Sequence, residues 1–330
     1  MDGAALLHRI DRELGGGPRA WSDVVIVRNV GPLTATSPLE GDVISNRGFN
    51  ALVFAKGKHP THFLKVRPVS HVQFRREADI TVRLAQDAAA RHLVPGARSF
   101  AEGPARVLAE EFIDGLALDL VIRRRQRRSW HVLAADVIRS ARPLLSAIAG
   151  ATGPADCRRA KPPELLADLE LLRSLGLDAA AAQRLAEIIQ AAPLPMRPQH
   201  GDFWPRNVLK VGDDWKVLDF ESCGEVVLPL YDVFHMIRGC GEAARTGKRS
   251  WIELWEDAGS NAQALVSEVH HAASGLDIQS IEAALAAYLI EFAARLHRRG
   301  IAQQRFADRL QEISRLPALL DAGALRRIFS

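Results

Sequence analysis

Cysteine is scarce in this chain, which contains three cysteines among 330 residues. Cys157, Cys223 and Cys240 are scattered and form no C-x-x-C pair. Three unclustered cysteines exclude a disulfide framework, and the missing C-x-x-C pair argues against a structural zinc site. We therefore expect all three thiols to be reduced and structural.

Long hydrophobic runs are also missing. No apolar stretch approaches the roughly 20 residues that a membrane-spanning helix needs. The first 17 residues mix charged with apolar side chains, unlike a secretory signal. We therefore expect a cytoplasmic protein without a membrane segment. The hydrophobic fraction of 48% and the charged fraction of 25% are typical of a globular protein, and the length favours about two domains.

A strong charge imbalance is absent as well, because the formal net charge is only +4. Much of the excess is local, in the segment "IRRRQRRSW" at 122–130. A solvated helical face explains this segment most simply. A basic balance suits an anionic ligand such as a nucleotide as readily as a polynucleotide, so nucleic-acid binding stays a secondary hypothesis.

Hydrophobic periodicity indicates a small sheet followed by a larger helical part. The runs "FNALVFA" (49–55) and "THFLKV" (61–66) predict two strands of a hairpin. In 74–86 apolar residues recur at three- and four-residue steps, which predicts a helix, and 105–115 reads as another strand. From residue 116 onward the composition is mostly helical, with one short hairpin near residue 210. The predicted class is α+β.

That hairpin carries an unusual set of polar residues. The runs "NVLKV" and "WKVLDF" flank "GDD", which predicts a three-residue loop in which Val211 pairs with Trp215. Asn207 then falls opposite Asp219, with Cβ atoms roughly 4.5 to 5.5 Å apart. One Mg²⁺ could bridge their oxygens. Asp202 lies in the loop before the first strand and would present a second carboxylate beside the metal.

Two segments resemble motifs of the aminoglycoside phosphotransferase and choline kinase-like superfamily. "HGDFWPRN" (200–207) resembles its H-G-D-x-x-x-x-N motif, and "VLDFE" (217–221) resembles its form of the kinase D-F-G. The resemblance implies a protein kinase-like two-lobe fold. Residues 1–112 would form a small antiparallel-sheet N-lobe, and residues 113–330 a mainly helical C-lobe.

The resemblance also implies roles for the polar residues of these motifs. Asp202 would be the general base or the orienting group for an acceptor hydroxyl, and Asn207 and Asp219 would hold Mg²⁺ on the ATP phosphates. His200 belongs to the predicted catalytic loop together with Asp202. It would brace the loop rather than transfer protons. Glu221 would contact a second ion. The alternative is that these acids merely cap and solvate a hairpin.

Lys65 and Glu77 are the candidates for the lysine and glutamate pair of a kinase-like N-lobe. Lys65 lies in a predicted strand on the face opposite Leu64 and Val66. Glu77 lies on the apolar face of the predicted helix, where a carboxylate needs a cation. The alternative is two unrelated surface charges.

Two further segments would complete the nucleotide site of a kinase-like fold. The stretch "SNRGFN" (45–50) would cover the phosphates, and "LAEEFIDG" (108–115) resembles the hinge that meets adenine. The cofactor-binding residues predicted in these two segments are Ser45, Asn46, Gly48, Glu111, Phe112 and Ile113.

Asp232, in "LPLYDVFH", resembles a family aspartate that supports the catalytic loop, and we expect it to be buried and hydrogen-bonded. The segment 236–330 carries no motif that we can interpret. Histidines and tryptophans in and just before it have spacings typical of packing and pocket walls. These residues are His235, His270, His271, His297, Trp251 and Trp255.

The predicted function is Mg²⁺- and ATP-dependent phosphorylation of a small-molecule hydroxyl, with a sugar or amino alcohol as acceptor. The alternatives are a non-catalytic nucleotide-binding scaffold, an aminoglycoside-modifying kinase and a nucleic-acid binder. The partner is expected to be a small molecule rather than a nucleic acid or a membrane.

Overall fold

The computed structural model divides the chain into two compact units. Unit 1 comprises Met1–Gly115 and Lys216–Glu221, and unit 2 comprises Leu116–Trp215 and Ser222–Ser330. The lobe boundary between residues 112 and 113 stays a prediction. The structure describes residues 3–14, 21–29, 48–55, 59–125, 129–151, 162–192, 194–244, 262–300 and 303–329.

Unit 1 is built on a five-stranded sheet with the order β1-β2-β3-β5-β4, in which neighbouring strands are antiparallel. The predicted hairpin of β2 and β3, the helix that follows it and the later strand β5 are all confirmed. The elements of unit 1 are α1 (Gly3–Leu14), β1 (Trp21–Asn29), β2 (Phe49–Ala55), β3 (Pro60–Pro68), α2 (Val72–Gln86), β4 (Ala97–Glu102) and β5 (Ala105–Glu111).

The two faces of this sheet have different partners. Ile10 of α1 belongs to a core with alternate residues of β2 and β3, among them Leu64 and Val66. On the other side, Phe74 of α2 packs with Leu108 of β5. Because successive side chains of a strand point to opposite faces, Lys65 is directed to the α2 side. The alternation thus places its ammonium group next to α2.

Unit 2 is mainly helical, as the composition predicts. Helix α9 is buried from Ser280 to Arg295 and packs against α5, α6, α7 and α10. A helix that is buried around its whole circumference forms the centre of a helical domain. The helices are α3 (Leu118–Arg125), α4 (Trp130–Ala151), α5 (Pro162–Ser174), α6 (Ala179–Ala191), α7 (Tyr231–Ala243), α8 (Ala262–Ala272), α9 (Ile278–Arg298), α10 (Gln303–Asp321) and α11 (Ala324–Phe329).

The hairpin near residue 210 has a strand register that differs from the predicted one. Strands β6 (Leu116–Ala117), β7 (Val208–Val211) and β8 (Asp214–Val217) form a sheet in that order. The three-residue loop and the pairing of Val211 with Trp215 are wrong, because β8 already begins at Asp214. Gly212, with φ of 59°, supplies the positive φ that a two-residue turn needs.

The prediction that Asn207 lies opposite Asp219 across the hairpin is therefore wrong. Asn207 ends a 3-10 turn (Pro205–Asn207) before β7, and Asp219 follows the end of β8. Both residues flank the hairpin without belonging to its ladder.

No helix among the described residues has the length and apolar character needed to cross a membrane.

Candidate active site

Lys65 is the centre of a charged cluster in unit 1. Its Nζ lies 2.5 Å from Oε1 of Glu77, 3.5 Å from Oδ1 of Asp219 and 3.8 Å from Oε2 of Glu110. We call these four residues the lysine cluster. The ion pair between Lys65 and Glu77 is the one that the sequence predicts. Glu110 was not predicted, although an acidic residue directly after the apolar run 107–109 of a predicted strand was a signal.

Burial and charge compete in the lysine cluster. Burial alone would lower the pKa of Lys65, but the carboxylates of Glu110, Glu77 and Asp219 raise it above its ordinary value. Burial raises the pKa of Glu77, against the opposing effect of Lys65. The ammonium group therefore stays protonated. Burial raises the pKa of Glu110 as well, so the partly exposed carboxylate of Asp219 is the member of the cluster best placed to bind a divalent cation.

Asp219 combines a strained backbone conformation with a partly exposed carboxylate. Its φ is 66°, a left-handed conformation that is uncommon for residues other than glycine and that costs on the order of 1 to 3 kcal/mol. Its side chain is 42% exposed, so one carboxylate edge remains open. Glu221, in the following 3-10 turn, is exposed. Strain at an open carboxylate is frequent at ligand sites.

The described residues contain no group of three or more His, Cys, Asp and Glu that could enclose a metal ion. Mg²⁺ is usually bound through one or two carboxylates together with substrate phosphates. The open carboxylate of Asp219 fits that mode of binding.

The loop that carries Asp202 is anchored in unit 2 by Asp232. Asp232 is fully buried, and its carboxylate accepts hydrogen bonds from the backbone N–H of His200 (2.6 Å) and of Gly201 (2.9 Å). This confirms the expectation for Asp232. Nδ1 of His200 accepts from the backbone N–H of Asp202 at 3.3 Å, which is the geometry of a residue that braces the loop.

Asp202 is held by neighbours on both of its oxygens. Nδ2 of Asn207 donates to the backbone oxygen of Asp202 at 2.9 Å and to its Oδ2 at 3.1 Å. Oδ1 lies 3.5 Å from Nε2 of His235 and 4.0 Å from a guanidinium nitrogen of Arg295. Because the Asn207 amide nitrogen is used in this way, its oxygen is the atom that could bind a metal.

Charge keeps Asp202 ionised. Burial alone would raise its pKa, but the hydrogen bond from His235 and the charge of Arg295 lower it below its ordinary range. Burial lowers the pKa of His235 itself to about 4, so His235 is neutral at neutral pH. Arg295 is therefore the cation that stabilises the carboxylate there.

His235 and Arg295 are functional candidates that the sequence analysis missed. His235 was assigned to packing, and it does pack, with its ring centroid 4.5 Å from that of Trp204. A signal existed, because His235 lies three residues after Asp232 and hence on the same face of α7. Arg295 lies four residues after Glu291 in a buried helix, where charges need partners.

The remaining predicted residues are placed only in part. Gly48 is buried at the start of β2, whereas Ser45 and Asn46 lie outside the described residues. The backbone N–H of Glu111 donates to Gly96 (2.7 Å) and that of Phe112 to Thr61 (2.8 Å). These two N–H groups are thus used within unit 1, and the role of Ile113 stays a prediction.

Comparison with known proteins agrees with the motifs. A model of the phosphotransferase enzyme family (APH) matches residues 45–262, which is more than half of the chain. The chain therefore belongs to the phosphotransferase enzyme family. A search among curated proteins finds no match.

Solved structures show the same fold at low sequence identity. Choline kinase from Cryptosporidium parvum Iowa II is 14% identical, with a TM-score of 0.53 and coverage of 99% of this chain and 100% of that one. ADP-bound aminoglycoside phosphotransferase APH(2'')-Ib is 12% identical, with a TM-score of 0.52 and coverage of 97% and 99%.

A thermostable mutant of aminoglycoside phosphotransferase APH(4)-Ia, in a ternary complex with AMP-PNP and hygromycin B, is 13% identical. Its TM-score is 0.50, and the coverage is 96% of this chain and 98% of that one. These similarities confirm the predicted protein kinase-like α+β fold, with a small antiparallel-sheet lobe and a mainly helical lobe.

The buried His235 predicts a pH-dependent stability. Between its folded pKa of about 4 and its ordinary value of 6.5, the unfolded chain binds a proton that the folded chain does not. The free energy of unfolding should therefore rise with pH across this window, by on the order of 3 kcal/mol from this group. Urea unfolding at pH 4 and at pH 6.5 measures this rise. The free energy of unfolding should rise less between the two pH values in His235→Gln than in the unchanged protein. Equal pH dependence in the two proteins would contradict this assignment.

Proposed function

We propose that this protein transfers the γ-phosphate of ATP to a hydroxyl group of a small molecule, with Mg²⁺ as the metal. The observation that carries the proposal is the lysine cluster, in which one ammonium group bridges Glu77 of α2 and Asp219 of the D-F-E motif. Kinase-type phosphoryl transfer requires that ion pair together with a metal-binding aspartate.

The nucleotide would be held from unit 1. Lys65 would contact the α- and β-phosphates as a permanently charged donor, since its neighbouring carboxylates keep it protonated. Gly48 and the segment before it would cover the phosphates. Adenine would meet the hinge near Ile113, because the N–H groups of Glu111 and Phe112 already have partners.

Mg²⁺ would be bound through oxygen atoms of Asp219 and Asn207 together with phosphate oxygens. Asp219 offers an open carboxylate, and Asn207 offers the oxygen of an amide whose nitrogen is fixed on Asp202. Glu221 is proposed as a contact for a second ion. When bound, the metal would neutralise charge on the phosphates.

Asp202 would orient the acceptor hydroxyl. A carboxylate whose pKa lies below its ordinary range is a weak base, so its main contribution would be to accept a hydrogen bond and aim the attacking oxygen. Such positioning suits a loose transition state, in which little proton transfer is needed before the phosphoryl group moves.

The acceptor class is proposed from charge. The chain is net basic, with a formal charge of +4, and a guanidinium nitrogen of Arg295 lies 4.0 Å from the Asp202 carboxylate that would orient the acceptor. Several ammonium groups of an aminoglycoside would need an acidic pocket instead. We therefore propose a neutral or mildly charged hydroxyl compound, such as a sugar or amino alcohol.

Asp219→Ala should remove Mg²⁺-dependent nucleotide binding, because it deletes the proposed carboxylate ligand. The matched control is Asp213→Ala, which removes an exposed carboxylate from the turn of the same hairpin. Titration calorimetry with ATP, with and without Mg²⁺, measures both. We expect the affinity for Mg·ATP to fall about 100-fold in the first variant and to stay unchanged in the second. An unchanged Mg²⁺ dependence in Asp219→Ala would refute its role as a ligand.

Asp202→Asn should separate catalysis from nucleotide binding. The substitution keeps the shape of the side chain but removes its charge. The substrate hydroxyl then loses the carboxylate that accepts its hydrogen bond, and the turnover number should fall by about 100-fold or more. The affinity for Mg·ATP should be nearly normal. A collapse of nucleotide affinity in this variant would show that Asp202 serves the nucleotide and not the acceptor.

Steady-state kinetics on a panel of aminoglycosides, sugars and amino alcohols tests the acceptor class. We expect no efficient turnover of the aminoglycosides. A kcat/KM of about 10⁴ M⁻¹s⁻¹ or more with any of them would overturn the prediction and favour an aminoglycoside-modifying kinase. Tight Mg·ATP binding without turnover of any compound would favour the non-catalytic scaffold.

A further inference from the structure

His235 occupies an unusual position beneath the proposed acceptor-orienting residue. The imidazole is 2% exposed, yet its Nε2 lies 3.5 Å from Oδ1 of Asp202 and its Nδ1 lies 3.3 Å from the hydroxyl of Tyr288. Packing alone does not require both ring nitrogens to meet polar atoms. The two contacts form a line from Tyr288 through His235 to Asp202.

The groups around His235 come from three parts of unit 2. The loop contributes Asp202, α7 contributes Tyr231, and α9 contributes Tyr288, Glu291 and Arg295. Arg295 lies with one guanidinium nitrogen 3.4 Å from Nε2 of His235 and donates with the other to the backbone oxygen of Gly201 at 3.0 Å. Glu291 accepts from the hydroxyl of Tyr231 at 2.7 Å.

Two neutral tautomers of His235 compete in this setting. If the proton is on Nδ1, Nε2 accepts from Arg295, but the lone pair of Nε2 then faces the carboxylate of Asp202. Nδ1–H then donates to the hydroxyl oxygen of Tyr288, and the hydroxyl proton has no acceptor, because Nδ1 of His235 is the one hydrogen-bond partner of Tyr288 in the part of the chain that the structure describes. A buried hydroxyl proton without an acceptor and a lone pair against a carboxylate both cost free energy.

If the proton is on Nε2, the hydroxyl of Tyr288 donates to Nδ1 and the Nε2–H group points to Asp202. This tautomer gives up the bond from Arg295 to Nε2, while Arg295 keeps its bond to the backbone oxygen of Gly201 and its contact with the ring of Tyr231. A hydrogen bond is about twice as strong when either its donor or its acceptor is ionised, so the bond from Nε2–H to Asp202 replaces one of similar strength, and the acceptor that Nδ1 offers to the hydroxyl of Tyr288 decides the balance. The doubly protonated imidazole is disfavoured by burial and by Arg295. The Nε2–H tautomer is therefore the favoured one.

We propose that His235 is a positioning residue for Asp202: Tyr288 selects the Nε2–H tautomer, and Nε2–H holds Oδ1 of the carboxylate while Asn207 holds Oδ2. This inference rests on the proposed role of Asp202 toward the acceptor. The distance of 3.5 Å is long for a hydrogen bond, and catalytic hydrogen bonds commonly tighten when substrate binds.

The path of α7 supports this role. A Cβ atom added to Gly239, one turn after His235, would lie 2.3 Å from Cδ of Pro205. Only a residue without a side chain lets α7 approach the loop of Asp202 so closely. The close approach brings the next inward-facing residue of α7, His235, within reach of the carboxylate.

The protonation of the imidazole can be measured directly, without knowledge of the molecule that accepts the phosphate. Nitrogen-15 NMR of histidine-labelled protein at neutral pH reports which ring nitrogen carries the proton, and the signals of His235 are those missing from His235→Gln. We expect a proton on Nε2. In Tyr288→Phe the preference should weaken toward a mixture of tautomers. In Asp202→Asn the Nε2–H proton should move to higher field, because its charged acceptor is gone.

A proton on Nδ1, or an Nε2–H signal that ignores Asp202→Asn, would overturn the inference whatever reaction the protein catalyses. A second arm uses Mg·ATP with water as the acceptor. The side-chain nitrogen of glutamine reaches the position of Nε2, and that of asparagine the position of Nδ1. The turnover number should fall about 10- to 100-fold in His235→Asn and be largely restored in His235→Gln, with the KM for ATP unchanged in both.

The two arms separate the inference from the proposed function. Equal loss of turnover in His235→Asn and His235→Gln would refute the positioning role even if the NMR signals were as expected. If the NMR signals show the expected tautomer but the protein transfers phosphate to no compound and not to water, the proposed function is refuted. The hydrogen bond from His235 to Asp202 would still stand.

Discussion

The arrangement of unit 2 depends on one buried carboxylate. Asp232 is withdrawn from water and must find donors inside the protein, and it finds them in the backbone N–H groups of His200 and Gly201. Those two bonds tie the loop of Asp202 to the first turn of α7. A Cβ atom on Gly201 would lie 2.6 Å from the backbone oxygen of Ser222, so the loop tolerates only glycine there. His235 then reaches Asp202 because α7 is already anchored.

Unit 1 also depends on buried charges that need partners. Here a single ammonium group, that of Lys65, serves several buried carboxylates. The sheet of unit 1 buries carboxylates from α2 and β5, and Lys65 is the cation that makes their burial tolerable. Asp219 leaves an open carboxylate at the edge of the cluster, which is the kind of oxygen ligand that a divalent cation binds. Each unit thus holds its own preorganised charges. Phosphoryl transfer asks little else of a protein than such positioning and charge stabilisation.

Sequence reasoning succeeded where one local rule decided the outcome. The strand alternation at Leu64 and the inward-facing carboxylate of Glu77 together predicted the ion pair with Lys65. It failed in the hairpin, because "GDD" suits a three-residue loop as well as a two-residue turn, and one residue changes the register. It also missed Arg295, since the partners of a buried charge on α9 lie far away in sequence and helical spacing alone looks the same for packing and for a site.

The most direct test of the proposed chemistry is transfer of labelled phosphate. The protein would be incubated with Mg²⁺, ATP labelled with oxygen-18 in its γ-phosphate, and a broad pool of small hydroxyl compounds, and the products analysed by mass spectrometry. We expect one class of small molecule to gain a labelled phosphate on a hydroxyl oxygen, in step with the formation of ADP. ATP that binds tightly with Mg²⁺ and yields no labelled compound from the pool would contradict the proposed chemistry.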